Sequence, residues 1–194
     1  AHDPDGSYYI TSMPQINAAK TGRWAFNQSP KWIGGNIQTM PKILRLMVEP
    51  PPGRIFVQPD LSQGEVRYVA AESRCMFLNN IFAAGGSVHK SFGKRFSGVE
   101  PKKDTLEYDA YKSTVHGYDY MMGFKRLAIE ANIGYQLAEQ MYNSYGKEVF
   151  EIERWWKRIK EEALKSGRLV TPLGRDRQCY SACTMVTNTG ALAH

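Results

Sequence analysis

The chain has 194 residues, of which 25 are lysine or arginine and 19 are aspartate or glutamate, so its formal net charge is +6. Hydrophobic residues make up 42% of it, which is enough to form a core and excludes a disordered chain. No apolar run approaches the ~20 residues of a membrane span, and no secretory signal is recognisable, so we expect a soluble cytoplasmic protein. Its three cysteines, an odd number without a second ligand pair, argue against a disulfide framework and a zinc site.

The N-terminal third of the chain predicts short elements followed by one helix. Residues 1–53 are rich in proline, glycine, asparagine and glutamine, which indicates loops and short strands. Residues 54–60 predict a short buried strand that ends at Asp60. The segment Ser62-Gln-Gly-Glu65 has the spacing of a capping box, in which both side chains satisfy N–H groups at a helix start. We expect that helix to continue to about Phe82.

Helices are predicted for most of the next hundred residues, separated by glycine and proline. They cover about 89–96, 106–122, 125–132, a segment beginning at 135, and 148–165. Residues 168–180 then predict a hairpin that turns around Pro172 to Gly174. A strand, a helical insertion and returning strands together predict an α+β fold without internal repeats.

Asp60 is the first candidate for chemistry. A carboxylate directly after a buried strand is held rigidly beside water, which suits a ligand for a hard cation. Mg²⁺ keeps several waters, so one or two fixed aspartates plus substrate phosphates form a sufficient site. The structural alternative is that Asp60 merely opens a turn. Glu65 can be explained by the cap alone, whereas Asp60 cannot, because Ser62 already serves as the N-cap.

Four segments carry a resemblance to a known family. Asp60-Leu-Ser-Gln-Gly-Glu-Val-Arg67 resembles motif A of the DNA polymerase I family (family A), whose pattern Asp-x-Ser-Gln-x-Glu-x-Arg contains a catalytic aspartate. Thr21-Gly-Arg23 and Asn36-Ile-Gln-Thr-Met-Pro41 resemble two upstream elements of that family in the same order. Thr171-Pro-Leu-Gly-Arg-Asp-Arg177 resembles a basic hairpin downstream. The likeness covers nearly the whole chain.

The resemblance implies a domain organisation. The fold would be a partial polymerase palm of antiparallel strands with a large helical fingers insertion. Residues 1–70 would form the first part of the palm with motif A, residues 71–167 the helical fingers with motif B, and residues 168–194 the return to the palm.

The predicted helix at 106–122 carries Lys112, His116 and Tyr120 at steps of four residues. Each step advances about 400°, so the three side chains share one face of the helix. In the family this face presents a lysine to the triphosphate and planar rings to the nucleotide and template. Tyr108 departs from the pattern because the family has a phosphate-binding arginine at this position. Lys102 or Lys103 is the alternative residue that would bind the phosphate in its place.

Two further departures lie on the same helix. His116 replaces the usual phenylalanine or tyrosine, and Met121 replaces the glycine that follows the family's tyrosine. A histidine ring is still planar and retains the ability to stack. A helix-face histidine without a function is the alternative for His116.

The resemblance also implies a set of functional residues. Asp60, with the backbone carbonyl of Leu61, is expected to hold Mg²⁺ as the catalytic aspartate of a two-metal site. The expected nucleotide contacts are Gln63, Glu65, His89, Lys112, His116 and Tyr120. The expected contacts to primer–template DNA are Arg23, Asn36, Gln38, Tyr120 and Asn188. Glu65 would also exclude ribonucleotides by crowding the 2′ side of the sugar.

The family's second catalytic aspartate comes from a His-Asp-Glu turn, motif C, which this sequence does not contain. Asp119 and Asp176 lie in a helix and a basic hairpin and do not replace it. We therefore expect template-directed DNA synthesis from dNTP by one piece of a split or truncated, phage-like polymerase, in a bacterium or a phage-infected host. Another polypeptide would carry motif C.

Two other functions remain open from the sequence. A non-catalytic DNA-binding module derived from such a polymerase is favoured by the missing aspartate and by Tyr108. A single-subunit RNA polymerase is disfavoured by Glu65, because a gate against the 2′-hydroxyl is unwanted when the substrate carries one.

Overall fold

The computed structural model describes residues 12–16, 24–27, 36 and 39–179. The chain divides after Asp60 into two compact units. The predicted DNA contacts Arg23, Gln38 and Asn188 lie outside the described residues.

The first unit consists of short elements, as its composition predicts. Strand β1 (Met13–Gln15) pairs antiparallel with β2 (Ala25–Asn27), so that Pro14 lies opposite Phe26. A single turn of helix, α1 (Lys42–Arg45), follows Pro41. The Arg45 side chain donates to the Met40 carbonyl over 2.9 Å, which ties the end of this turn to its start.

The predicted buried strand at 54–60 is wrong. These residues form no strand, and Ile55, Phe56 and Val57 are 82, 63 and 77% exposed. Strand propensity alone supplies no hydrogen bonds, because the backbone groups of a strand need a neighbouring strand as partner. Neither two-stranded sheet of the described residues includes this segment. Asp60 therefore follows an exposed apolar segment and not a buried strand.

The second unit is helical and ends in a hairpin. Its helices are α2 (Gly64–Ser73), α3 (Met76–Ala83), α4 (Val88–Ser97), α5 (Leu106–Asp119), α6 (Phe124–Glu130), α7 (Tyr135–Glu148) and α8 (Phe150–Ser166). Strands β3 (Arg168–Val170) and β4 (Asp176–Gln178) then pair antiparallel, as predicted. Helices followed by short antiparallel strands confirm the α+β class. No helix in the described ranges is long and apolar enough to cross a membrane.

The predicted capping box is also wrong. Helix α2 begins after Gln63, which has a left-handed backbone with φ of 53°, and no side chain in the described part of the chain caps it. Glu65 instead reaches another helix, as described below. The helix also stops earlier than predicted, at Arg74, where φ is 55°. The N–H of Cys75 bonds to the Ala70 carbonyl over 3.2 Å, a Schellman ending that separates α2 from α3.

The core of the second unit joins α2, α3, α4, α5, α7 and the start of α8 around aromatic rings. Phe92 of α4 lies edge-on to Tyr111 of α5, with centroids 5.6 Å apart, and edge-on to Tyr145 of α7 at 5.0 Å. Val66 and Leu78 are fully buried in the same cluster. Such edge-to-face pairs are favourable and geometrically specific, so they fix α4 relative to α5.

Gly93 permits a close approach between α4 and α5. A Cβ atom at this position would lie 2.6 Å from Pro101 Cγ and 2.7 Å from Tyr111 Cδ2. Any side chain at position 93 would therefore push α4 away from the Tyr111 ring. Because His89 lies four residues earlier on the same face of α4, this contact also places His89 against α5.

We expect Gly93→Ala to lower the free energy of unfolding by about 1–3 kcal/mol, since an added methyl group overpacks this contact. The measurement is urea unfolding followed by circular dichroism. Lys94→Ala is the matched control, because Lys94 is exposed on the same helix. Equal stability of the two variants would contradict the close contact.

Candidate active site

Helices α2 and α5 meet through a carboxylate and a phenol. Tyr120, the residue directly after α5, donates its hydroxyl to Glu65 Oε2 over 2.5 Å. The Nδ1 atom of His116, one turn earlier on α5, lies 4.0 Å from the same oxygen. Residues predicted from two separate sequence motifs are therefore neighbours.

His89 contributes a buried imidazole from α4. It is only 4% exposed, its Nδ1 lies 3.3 Å from the hydroxyl of Tyr108, and the two rings meet edge-on. The His116 ring is also close, with its centroid 5.3 Å from that of His89. The other ring nitrogen, Nε2, is buried without a hydrogen-bond partner among the described residues.

The electrostatics of these histidines follow from burial and from Lys112. Burial lowers the pKa of His89 to about 4, and the positive charges of His116 and Lys112 act in the same direction. Burial also lowers the pKa of His116, against the opposing effect of Glu65. Both imidazoles are therefore neutral at neutral pH, and exposed Lys112 supplies positive charge next to them.

Gln63 connects this region to the start of α4. Its side-chain oxygen accepts a hydrogen bond from the Val88 N–H over 2.8 Å, directly before His89. The carbonyl of Leu61 accepts from the Gly64 N–H over 3.2 Å. All six predicted nucleotide contacts thus fall in one connected region, which we call the α2–α4–α5 cluster: Gln63, Glu65, His89, Lys112, His116 and Tyr120.

A cleft of about 270 Å³ adjoins this cluster, and the sequence did not predict it. Its lining residues are Gly64, Glu65, Tyr68, Val69, Asp119, Tyr120 and Trp155. Asp119 is 5% exposed, and neither of its carboxylate oxygens has a hydrogen-bond partner within the described ranges. Burial, followed by the negative charge of Glu65, raises its pKa well above the usual range. Helical spacing in the sequence could have indicated that Asp119 is buried, because it follows buried Val115 by four residues.

Two predicted residues of the first unit lie at exposed positions. The backbone carbonyl of exposed Asn36 accepts from the N–H and the hydroxyl of Thr39, each over 3.3 Å. Asp60 is exposed and lies outside helix and strand. Across residues 12–16, 24–27, 36 and 39–179, no group of three or more His, Cys, Asp or Glu side chains is placed to hold a metal ion. An accessible single carboxylate fits part of a Mg²⁺ site that other ligands complete.

Comparison with known families assigns the chain to a class. The family model described as DNA polymerase family A matches residues 4–189. The chain therefore belongs to DNA polymerase family A, as the resemblance of its motifs implied.

Individual relatives agree with this assignment. A thermostable DNA polymerase I from Thermus filiformis is 27% identical over 186 residues, which cover 88% of this chain and 22% of the relative. DNA polymerase I from Helicobacter pylori is 33% identical over 118 residues, covering 61% of this chain and 13% of the relative. The chain thus spans about a fifth or less of the length of these curated relatives.

A solved structure shows the same fold. It is the POL domain of Pol1 from M. smegmatis in complex with DNA primer-template and dNTP, which matches with a TM-score of 0.66 and 24% sequence identity. The match covers 91% of this chain and 31% of that chain. The fold is therefore that of a polymerase domain fragment.

We expect Asp119→Asn to become increasingly stabilising, relative to the unmodified chain, as the pH rises. Folding raises the pKa of Asp119 above its ordinary value of 3.8, so the folded state holds a proton that the unfolded state has released. The retained proton on Asp119 therefore makes the unfolding free energy of the unmodified chain decrease as the pH rises. Asparagine does not titrate, so the substitution removes this decrease. Urea unfolding at about pH 5.5 and about pH 8 measures the difference.

The matched control is Asp109→Asn, which changes an exposed carboxylate on the same helix. The difference between its effects on the unfolding free energy at the two pH values is the reference for that of Asp119→Asn. A pH-independent effect of Asp119→Asn would contradict a raised pKa at this position.

Proposed function

We propose that the chain takes part in template-directed DNA synthesis, the transfer of a nucleotide from dNTP to a primer 3′-hydroxyl. The observation that carries this proposal is the α2–α4–α5 cluster, in which six predicted nucleotide contacts adjoin one another in a chain of DNA polymerase family A. The cluster combines a cation, ring nitrogens and planar side chains, which are the groups that a nucleoside triphosphate requires.

In this proposal Lys112 and His89 bind the triphosphate. An exposed ammonium group offsets the charge of the phosphates and of the pyrophosphate that leaves, which stabilises the transition state. A neutral imidazole adds an N–H donor without further charge. The ring of His116 and the phenol of Tyr120 provide flat surfaces on which a base or sugar stacks without sequence preference.

Asp60 is the proposed metal ligand and catalytic aspartate, with the Leu61 carbonyl as a second ligand. Bound Mg²⁺ ions would activate the 3′-hydroxyl and neutralise charge on the phosphates. We propose that a second aspartate, which these 194 residues do not supply, completes such a site. An accessible carboxylate at position 60 is consistent with a site that is completed in this way.

We assign Glu65 as the group that excludes ribonucleotides. Its carboxylate accepts the Tyr120 hydroxyl and lies near His116, so it is fixed at the surface where the sugar would bind. A fixed side chain excludes an additional hydroxyl group better than a mobile side chain does, because it cannot move aside to relieve the steric clash.

Primer–template DNA is the proposed macromolecular partner. Arg23, Asn36, Gln38, Tyr120 and Asn188 are its proposed contacts, and the palm and fingers boundaries at 70 and 167 remain predictions. The order of short strands, helices and a returning hairpin supports the proposed division into palm and fingers.

We expect the chain alone to extend a primer poorly in the presence of template, dNTPs and Mg²⁺. Addition of a family A polymerase segment that carries motif C should restore extension, and Asp60→Ala should abolish it while DNA binding, measured by fluorescence anisotropy, is retained. Glu49→Ala is the control, since Glu49 is also exposed in the first unit. Robust extension by the chain alone would contradict the need for a second aspartate. An unchanged rate in Asp60→Ala would favour a non-catalytic DNA-binding module.

We expect Glu65→Ala to raise the use of ribonucleotides relative to deoxyribonucleotides by at least about tenfold, a change of about 1.4 kcal/mol in discrimination. Single-nucleotide incorporation in the reconstituted complex measures the ratio of kcat/KM for the two substrates. Glu72→Ala, a change of another carboxylate on α2, should leave this ratio unchanged. If Glu65→Ala also left it unchanged, Glu65 would not be the excluding group.

A further inference from the structure

Tyr108 is in direct contact with the buried histidine of the cluster. Its hydroxyl lies 3.3 Å from His89 Nδ1, and its ring meets the imidazole edge-on at 89°, with centroids 5.8 Å apart. Tyr108 lies on α5 and His89 on α4, so the contact bridges the two helices that Gly93 holds together. The motif comparison would place a cationic arginine here, and a tyrosine cannot supply that charge.

The contact bears on which ring nitrogen of His89 carries the proton. A neutral imidazole has one N–H donor and one acceptor nitrogen, and the partner of one nitrogen sets the state of the other. A phenol hydroxyl either donates or accepts; when it donates, Nδ1 is the acceptor and Nε2 carries the hydrogen. Nε2 is buried without a partner among the described residues, so an N–H there has an unused hydrogen bond.

The charged and titratable groups that face His89 favour its neutral form. Lys112 and His116 on α5 both act against protonation of its ring, while Glu65 on α2 acts on His116. A neutral N–H on this ring adds a hydrogen-bond donor without adding a second positive charge to that of Lys112.

We propose that Tyr108 is a positioning residue: its hydroxyl donates to His89 Nδ1 and thereby holds Nε2–H as a donor for a polyphosphate anion bound beside Lys112. The ligand in this inference rests on the proposed function, whereas the tautomer does not. Tyr108 thus stabilises the donor state of His89 where the family's arginine would contact the anion itself.

The first test reads the tautomer directly. Nitrogen-15 NMR of the histidine rings, near pH 7, should show His89 with an unprotonated Nδ1 and a protonated Nε2. Tyr108→Phe keeps the edge-on ring but removes the hydroxyl, and it should shift both nitrogen resonances toward a mixture of tautomers. Tyr111→Phe is the matched control on the same helix, because the Tyr111 hydroxyl donates to Glu107 over 3.0 Å and not to His89.

The second test measures anion binding with inorganic tripolyphosphate as the probe. Loss of one positioning hydrogen bond should weaken binding by roughly 3- to 10-fold in Tyr108→Phe and should not affect Tyr111→Phe. His89→Gln provides an amide donor at a position similar to Nε2 that does not depend on Tyr108. In that background, Tyr108→Phe should have no further effect.

The outcomes separate this inference from the function on which its ligand rests. A protonated Nδ1 in the unmodified chain would overturn the inference, even if Tyr108→Phe failed to fold. Nitrogen resonances unchanged in Tyr108→Phe, or an equal loss of binding in the His89→Gln background, would also overturn it. The expected tautomer together with no tripolyphosphate binding by the unmodified chain would overturn the proposed nucleotide site and its ligand.

Discussion

The close packing of α4 against α5 at Gly93 is the contact on which the rest of the candidate site depends. The absence of a side chain at this position lets the Tyr111 ring lie against the backbone of α4. His89 is one helical turn earlier on the same face and therefore reaches α5 as well. The edge-on rings around Phe92 hold the helices in this arrangement, so packing in the core determines the position of the buried His89 imidazole.

The charges around the cluster depend on burial. Burial keeps His89 and His116 neutral, and Lys112 provides the cation. At the last residue of α5, burial raises the pKa of Asp119, which favours its uncharged form. Glu65 accepts the Tyr120 hydroxyl and lines the same cleft as Asp119. The same helix therefore carries an exposed cation and a carboxyl group that resists ionisation.

Local periodicity predicted the helical part of this chain well. Lys112 and His116 lie on α5 and Tyr120 directly follows it, and the hairpin at 168–178 forms as predicted. Predictions that required knowledge of distant partners failed. Ile55 to Val57 have strand propensity but no neighbouring strand in the described residues, and Glu65 bonds to a tyrosine 55 positions away instead of capping its own helix. The contact between Tyr108 and His89 depends on helix packing, which no local pattern specifies.

The hydrogen bond between the Gln63 side chain and the Val88 N–H has a mechanical consequence. Gln63 holds a left-handed backbone conformation, which is unfavourable for a residue with a side chain, so the neighbouring structure must maintain it. Its amide oxygen accepts a hydrogen bond from the first residue of α4, whereas its backbone immediately precedes α2. A rotation of α4 must therefore either break this hydrogen bond or move the start of α2 with it, which couples the motions of the two helices.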